Sequence, residues 1–260
     1  MGLIDHQIAL GRALRVTGAV DPTEGLALDR GERRRLHCLL GSAGFDFTRR
    51  VQRSWCRGRA AEVARLTLSA LPAARREALL TSWTEAGGGA SFNTGLEAEA
   101  FLAFLARDFP DPSHELSICR MELAAWRASA AAPFHAPDLA LLDHPRAMLR
   151  RGRRAALVVF HADPQTLVAA LEAGAAWPPL GGERFPVLFA PGLSNLSRAA
   201  GPEVEALWLR CAEPIAVRAL SRAGFARRIL EDLFAIGALA LADERGPATS
   251  GETEALFEGW

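Results

Sequence analysis

Residues 113–137 read SHELSICRMELAAWRASAAAPFHAP, and the change of pattern inside this stretch decides the fold. Ser113 reads as a helix cap, and behind it Leu116, Cys119, Leu123 and Trp126 recur at spacings of three and four, the apolar stripe of an amphipathic helix. From Ala130 to Pro137 the stripe gives way to Ala and Pro, the composition of a linker. The segments on the two sides carry different periods, so the expected class is α+β. A multi-helix domain over residues 1–134 precedes a smaller domain with a short β-sheet over 135–260.

Working back from Ser113, Pro110 and Pro112 stop a helix that Thr94 would cap and that carries Ala98, Phe101, Leu102 and Leu105. Upstream, Pro72 suits the first turn of a helix holding Leu79, Leu80 and Trp83, and the run Gly87, Gly88, Gly89 ends it, because three glycines cost too much backbone entropy to stay helical. Asp46 is expected to cap a helix with Phe47, Val51 and Trp55 on its apolar face and Arg49, Arg50, Arg53 and Arg57 around the rest. Helical spacing extends back to Asp29.

Working forward from Pro137, three short apolar runs bounded by Pro, Gly or charge read as strands: Ala155 to Phe160, Phe185 to Ala190 and Ala206 to Cys211. Asp163 and Pro164 open a short helix through Leu167, Leu171 and Ala175. Ser221 is expected to cap one helix from Ala223 to Ile236, with Phe225, Ile229, Leu230 and Leu233 on one face, before Gly237 and a last apolar run to Ala242.

Composition narrows the function classes. Half of the 260 residues are apolar, enough for a sizeable core. Thirty basic residues, all arginine, balance thirty acids, so no net field draws the chain to nucleic acid or to an anionic membrane. The absence of Lys and Tyr beside abundant Ala and Arg fits a coding bias better than a demand for guanidinium chemistry. Cys38, Cys56, Cys119 and Cys211 are scattered, form no CxxC pair and fit reduced thiols in the cytoplasm. The segment Met1 to Val16 breaks the apolar core a signal peptide needs, His6 stands where a Gly2 myristoylation signal needs Ser or Thr, and no run reaches the ~20 apolar residues of a spanning helix. No membrane partner is expected.

Catalytic patterns are scarce. Gly192, Leu193, Ser194, Asn195, Leu196 lacks the second glycine of a nucleophile elbow. The glycine runs lead out of no strand and meet no Lys, so they are not phosphate loops. His37 and Cys38 are adjacent and point about 100° apart on a helix, and His114 and Cys119 are five residues apart, so neither pair offers two ligands on one face. None of the four thiols sits in a pattern that evidently sets a base or cation to lower its pKa, which leaves a free-standing enzyme with little support.

Arg120 and Glu122 flank the apolar stripe on opposite edges, too far round the helix to pair with each other. Each needs a partner, either on another helix of the chain or on another protein. Two basic clusters, Arg33 to Arg35 and Arg150 to Arg154, keep a second reading open: a transcriptional regulator using a C-terminal winged helix. Glu231 and Asp232 lie in the helix that would read the groove and would repel phosphate, so nucleic acid is the lesser expectation.

The stretch His114, Glu115, Leu116, Ser117, Ile118, Cys119, Arg120, Met121, Glu122 resembles the Cys-Arg-Leu-Glu signature of the partner-protein family of methanobactin biosynthesis, with Met121 in place of Leu. The helices from about Phe47 to Asp108 are also similar to that family and to a related partner family named for DNA binding. The resemblance implies a heterodimer with a multinuclear non-haem iron enzyme of TIM-barrel fold. Such a pair oxidatively remodels a cysteine in a ribosomally made precursor peptide, with no cofactor on this chain and the iron on the other subunit.

The C-terminal pattern, Leu220, Ser221, Ala223, Ile229, Leu230, Leu233 and Gly237, resembles the winged-helix-like module that binds leader peptides in such pathways. The second half is longer than in the methanobactin proteins, which also suits a 3-thia-amino-acid pathway. An open sheet edge can take an extended peptide as an added strand. The expected partner interface is therefore His114, Cys119, Arg120 and Glu122. The expected peptide seat is Ala156, Leu157, Val158, Val159 and Phe160, with Leu207, Trp208, Leu209, Phe225 and Ile229.

Overall fold

The computed structural model describes residues 3–15, 21–89, 94–129 and 133–242. Met1, Gly2 and Val16 of the Met1–Val16 segment lie outside that range, as do Ala130 to Ala132 of the expected linker. Among the described residues the fold is α+β, with eleven α-helices and two small antiparallel sheets.

The first half is helical: α1 (Leu3–Arg15), α2 (Arg30–Leu40), α3 (Ala43–Val63), α4 (Arg65–Ser69), α5 (Ala73–Glu85), α6 (Thr94–Ala106) and α7 (His114–Ser129). Asp29 and Glu32 close a reciprocal capping box on α2, which satisfies two backbone N–H groups that a helix start leaves open. Pro72 stands at the cap of α5, and the glycine run ends it as the composition demands. Gly87 takes φ +85°, a conformation costly for other residues, and lets the Gly88 N–H reach back to the Trp83 carbonyl at 2.9 Å.

The start of α3 differs from the expectation. Ser42, not Asp46, is its cap, accepting from the Phe45 N–H, while Asp46 lies in the first turn and pairs with Arg49 and Arg50. With the helix starting there, Phe45, Cys56, Ala60 and Val63 face inward. The apolar stripe read from the sequence points to solvent: Phe47 is 63%, Val51 49% and Trp55 63% exposed.

The second half begins with a 3-10 turn, Leu139–Asp143, and runs through β1 (Met148–Arg151), β2 (Ala156–Phe160), α8 (Pro164–Glu172), β3 (Phe185–Phe189), β4 (Ser197–Ala199), α9 (Pro202–Arg210), β5 (Ile215–Ala216), α10 (Val217–Arg222), α11 (Arg227–Ala235) and β6 (Leu239–Leu241). One sheet has the order β5-β1-β6 and the other β2-β3-β4. Asp163 caps α8 and Pro164 occupies its first turn, as the sequence indicates.

Two expectations fail here. Ala206 to Cys211 is not a strand but the end of α9 and its cap, because Leu207, Trp208 and Cys211 share one buried helix face behind Pro202, and a short apolar run does not by itself separate strand from helix. The helix expected from Ala223 to Ile236 starts only at Arg227, and α10 ends before that span at Arg222. Ser221 lies inside α10, with its hydroxyl on the Val217 carbonyl, and Gly224 at φ +91° turns the chain before α11.

Three cores hold most of the molecule. One fills the helical half with Phe101, Leu102, Leu105, Trp83, Leu116 and Cys119. A second lies between the β5-β1-β6 sheet and α9 to α11, around Leu149, Leu207, Leu220, Leu230 and Leu233. The third crosses the expected boundary near residue 135: Ile118 and Ala124 of α7 meet Val158, Phe160, Leu167 and Phe189. Helix α7 therefore has two apolar faces, one toward the helices and one toward the β2-β3-β4 sheet. Fully burying a side chain such as Leu116 or Ile118 contributes about 1.5–3 kcal/mol.

Candidate functional site

Helix α7 positions the four residues expected at a partner interface. Ser113 caps it by accepting from the Leu116 N–H at 3.1 Å. His114 is buried; its Nε2 lies 2.8 Å from the Pro178 carbonyl, which fixes a proton there, and its ring meets Trp177 edge-on at 5.7 Å. Cys119 is fully buried and its thiol donates to the Leu102 carbonyl, and burial pushes its pKa up to about 12.

Glu122 is 9% exposed and acts inside the molecule. One carboxylate oxygen accepts from the Leu66 N–H at 2.8 Å, and the other accepts from the Thr67 N–H at 2.8 Å and the Thr67 hydroxyl at 2.5 Å. Helix α4 has no cap of its own at Ala64, so Glu122 caps it from across the core. Burial raises the Glu122 pKa even so, with the Thr67 and Leu66 bonds opposing. Arg120 is the one of the four that reaches solvent, where it pairs with Asp111 at 3.0 Å. Each of Arg120 and Glu122 thus has a partner within the chain.

The expected peptide seat divides. Ala156 to Phe160 form β2, at one edge of its sheet, with Val158 and Phe160 buried toward α7. The direction of the backbone groups follows from Pro186, which has no N–H and whose carbonyl accepts from the Ala200 N–H on the β4 side. Its neighbours Phe185 and Val187 therefore bond toward β2, where they pair with Phe160 and Val158. Leu157 and Val159 turn their N–H and C=O groups outward, and the Val159 carbonyl accepts from the Ser117 hydroxyl of α7 at 3.3 Å. Helix α7 thereby closes part of that edge.

The opposite edge is more open. By the same alternation, Arg198 bonds toward β3 while Ser197 and Ala199 of β4 turn their N–H and C=O groups away from the sheet. Arg198 also bridges to Asp232 of α11 through both guanidinium nitrogens. Asp232 forms the wall of a depression of about 380 Å³ lined by Glu203, Ala226, Arg228 and Ile229 as well. Of the residues expected at the peptide, Ile229 opens into this depression, and Phe225 packs half-buried against the adjoining core. Leu207 and Trp208 are buried in that core on α9, so they cannot serve as an edge strand, while Leu209 stands 60% exposed on the same helix.

Much of the arginine is spent on internal carbonyls and carboxylates. Arg33 donates to the Leu26 and Leu28 carbonyls, Arg154 to those of Arg127 and Ala128, and Arg151 to that of Trp208, over whose ring it lies. Strand β1, which carries Arg151 and its neighbour Arg150, does not read as a strand in the sequence because Met-Leu-Arg-Arg is too short and too charged for a central one. A buried pair also escaped notice: Arg59 approaches Glu97 at 2.8 Å, beside Cys56, and burial raises the pKa of both Glu97 and Cys56. Nothing in the sequence spacing links residues 59 and 97.

Among the described residues no three His, Cys, Asp or Glu side chains gather as a metal-binding group, and no helix is long and apolar enough to cross a membrane. No protein-family model matches the chain, and no curated protein matches it in sequence.

Proposed function

We propose that this chain is the substrate-presenting subunit of a heterodimer whose other member, a multinuclear non-haem iron enzyme of TIM-barrel fold, oxidatively modifies a cysteine of a ribosomally made peptide. The chain takes the leader part of that peptide in extended form and leaves the chemistry to the iron on its partner. The observation that carries the reading is the outer edge of β4. Ser197 and Ala199 present backbone donors and acceptors there, and the side chain of Arg198 between them reaches Asp232 of a depression that also holds Glu203, Arg228 and Ile229. Main-chain pairing supplies affinity and the depression supplies selectivity, as in other strand-addition complexes. The similarity of residues 114–122 to the partner-protein signature supports the heterodimer.

The test is co-expression with an iron enzyme encoded beside this gene and a neighbouring short Cys-containing peptide. A stable heterodimer that turns over only peptides carrying their leader is expected. A chain that neither copurifies with the enzyme nor binds the peptide contradicts the reading.

A second reading, a DNA-binding regulator, draws on the α10–turn–α11 unit, which exposes Arg218, Arg222 and Arg228. Duplex binding that weakens steeply across a salt series would favour it, and no binding at low salt would remove it.

A further inference from the structure

Helix α2 turns Arg30, Arg34 and His37 to solvent at spacings of four and three, one stripe opposite the buried Glu32 and Leu36. These three side chains, with Gly31, line a depression of about 750 Å³, a volume within the range of small-molecule sites. Arg30 and Arg34 stand one turn apart, where like charges repel, and neither has a hydrogen bond or ion pair among the described residues. Arg33 of the same helix is by contrast committed to the Leu26 and Leu28 carbonyls.

The carboxylates around this helix do not answer the two guanidiniums. Asp29 and Glu32 are taken up by the capping box, in which each accepts from the backbone N–H of the other. Arg35, on another side of the helix, faces the Asp29 charge. Asp21 accepts from the Thr23 N–H and hydroxyl, and its carboxylate lies 3.8 Å from the His37 ring. Arg30 and Arg34 are therefore left as the cations of the depression, with Gly31 adding no side chain between them and the floor.

We infer that this depression binds the phosphate group of a small phosphate monoester. A tetrahedral phosphate presents three acceptor oxygens, enough to join both guanidiniums and the His37 ring, and it relieves the repulsion between the two arginines. A single carboxylate presents two, which one guanidinium fork already satisfies. The volume beyond the phosphate takes the organic group of the ester. This inference is independent of the peptide reading, because it uses neither β4 nor α7.

Isothermal titration calorimetry of the full chain with inorganic phosphate, adenosine monophosphate, adenosine and acetate tests it. Phosphate and adenosine monophosphate are expected to bind, and adenosine and acetate to bind at least about tenfold more weakly, a factor that corresponds to about 1.4 kcal/mol. Arg30→Ala and Arg34→Ala are each expected to weaken both phosphates by a similar factor with no change in melting temperature. Arg35→Ala, which removes the same charge from outside the depression, is expected to leave both affinities unchanged. The inference is overturned if neither phosphate binds, if acetate or adenosine binds as well as they do, or if Arg35→Ala weakens them as much as Arg34→Ala.

Discussion

Glu122 links sequence and structure most tightly at the level of single residues. Its carboxylate takes three hydrogen bonds from Leu66 and Thr67 and so completes the start of α4. Glu122→Ala leaves those donors buried and unmatched, and a loss of about 2–4 kcal/mol in unfolding free energy is expected from urea titration. The pH dependence follows from the raised pKa. The folded carboxyl holds its proton above the usual 4.5, where the unfolded chain has released it, so its contribution to stability falls as pH climbs from there toward the raised value. Relative to the parent, Glu122→Gln should show a less downward slope of stability across that window. An unchanged slope would mean that the group does not titrate as described.

The thiols are set by the same burial. Cys119 and Cys211, pushed up to about 12 and about 11, and Cys56, also raised, are buried, whereas Cys38 is exposed. A thiol reagent at neutral pH should label Cys38 alone in the native protein and all four cysteines after denaturation. Rapid native labelling of Cys119 would show that the core around α7 opens.

Among elements, α5, α6 and α7 were legible from their own residues, and α7 shows where that legibility ends. Its cap, its stripe and its length could be read from Ser113 onward because capping and period are local. Its second face was not legible, since Ile118 and Ala124 meet strands more than thirty residues away. The same limit explains α3, whose apolar stripe faces solvent: periodicity shows that a helix has a face but not what covers it. It also explains α9, whose six-residue apolar run fits either period. The partner of Glu122 was equally beyond reach, because Leu66 and Thr67 lie more than fifty positions upstream.

Strand β4 carries its own prediction. Proline is tolerated on a sheet edge when the lost N–H faces outward, as that of Ala199 does. Ala199→Pro should therefore keep the fold while removing a donor from the open edge. Peptide affinity is expected to fall about tenfold, the loss of one well-formed hydrogen bond being worth on the order of 1 kcal/mol or more. Retained affinity in a folded variant would move the peptide elsewhere.

At the scale of the whole molecule, α7 joins what the composition divides. The Ala and Pro stretch near residue 135 marks a change of architecture, yet the core of Ile118, Ala124, Val158 and Phe160 spans it. The helical half and the β2-β3-β4 sheet are therefore held at a fixed distance, with the α3 stripe on one half and the β4 edge on the other. The proposed role asks of such a body that the β4 edge take an extended chain.

Hydrogen exchange at the Ser197 and Ala199 amides, with and without the leader of the precursor peptide, tests that claim most directly. The account predicts that these two amides exchange freely in the chain alone and are protected when the leader binds, while the amides of β2 change little. Protection confined to β2 or to the helical half, with Ser197 and Ala199 unaffected, would contradict it.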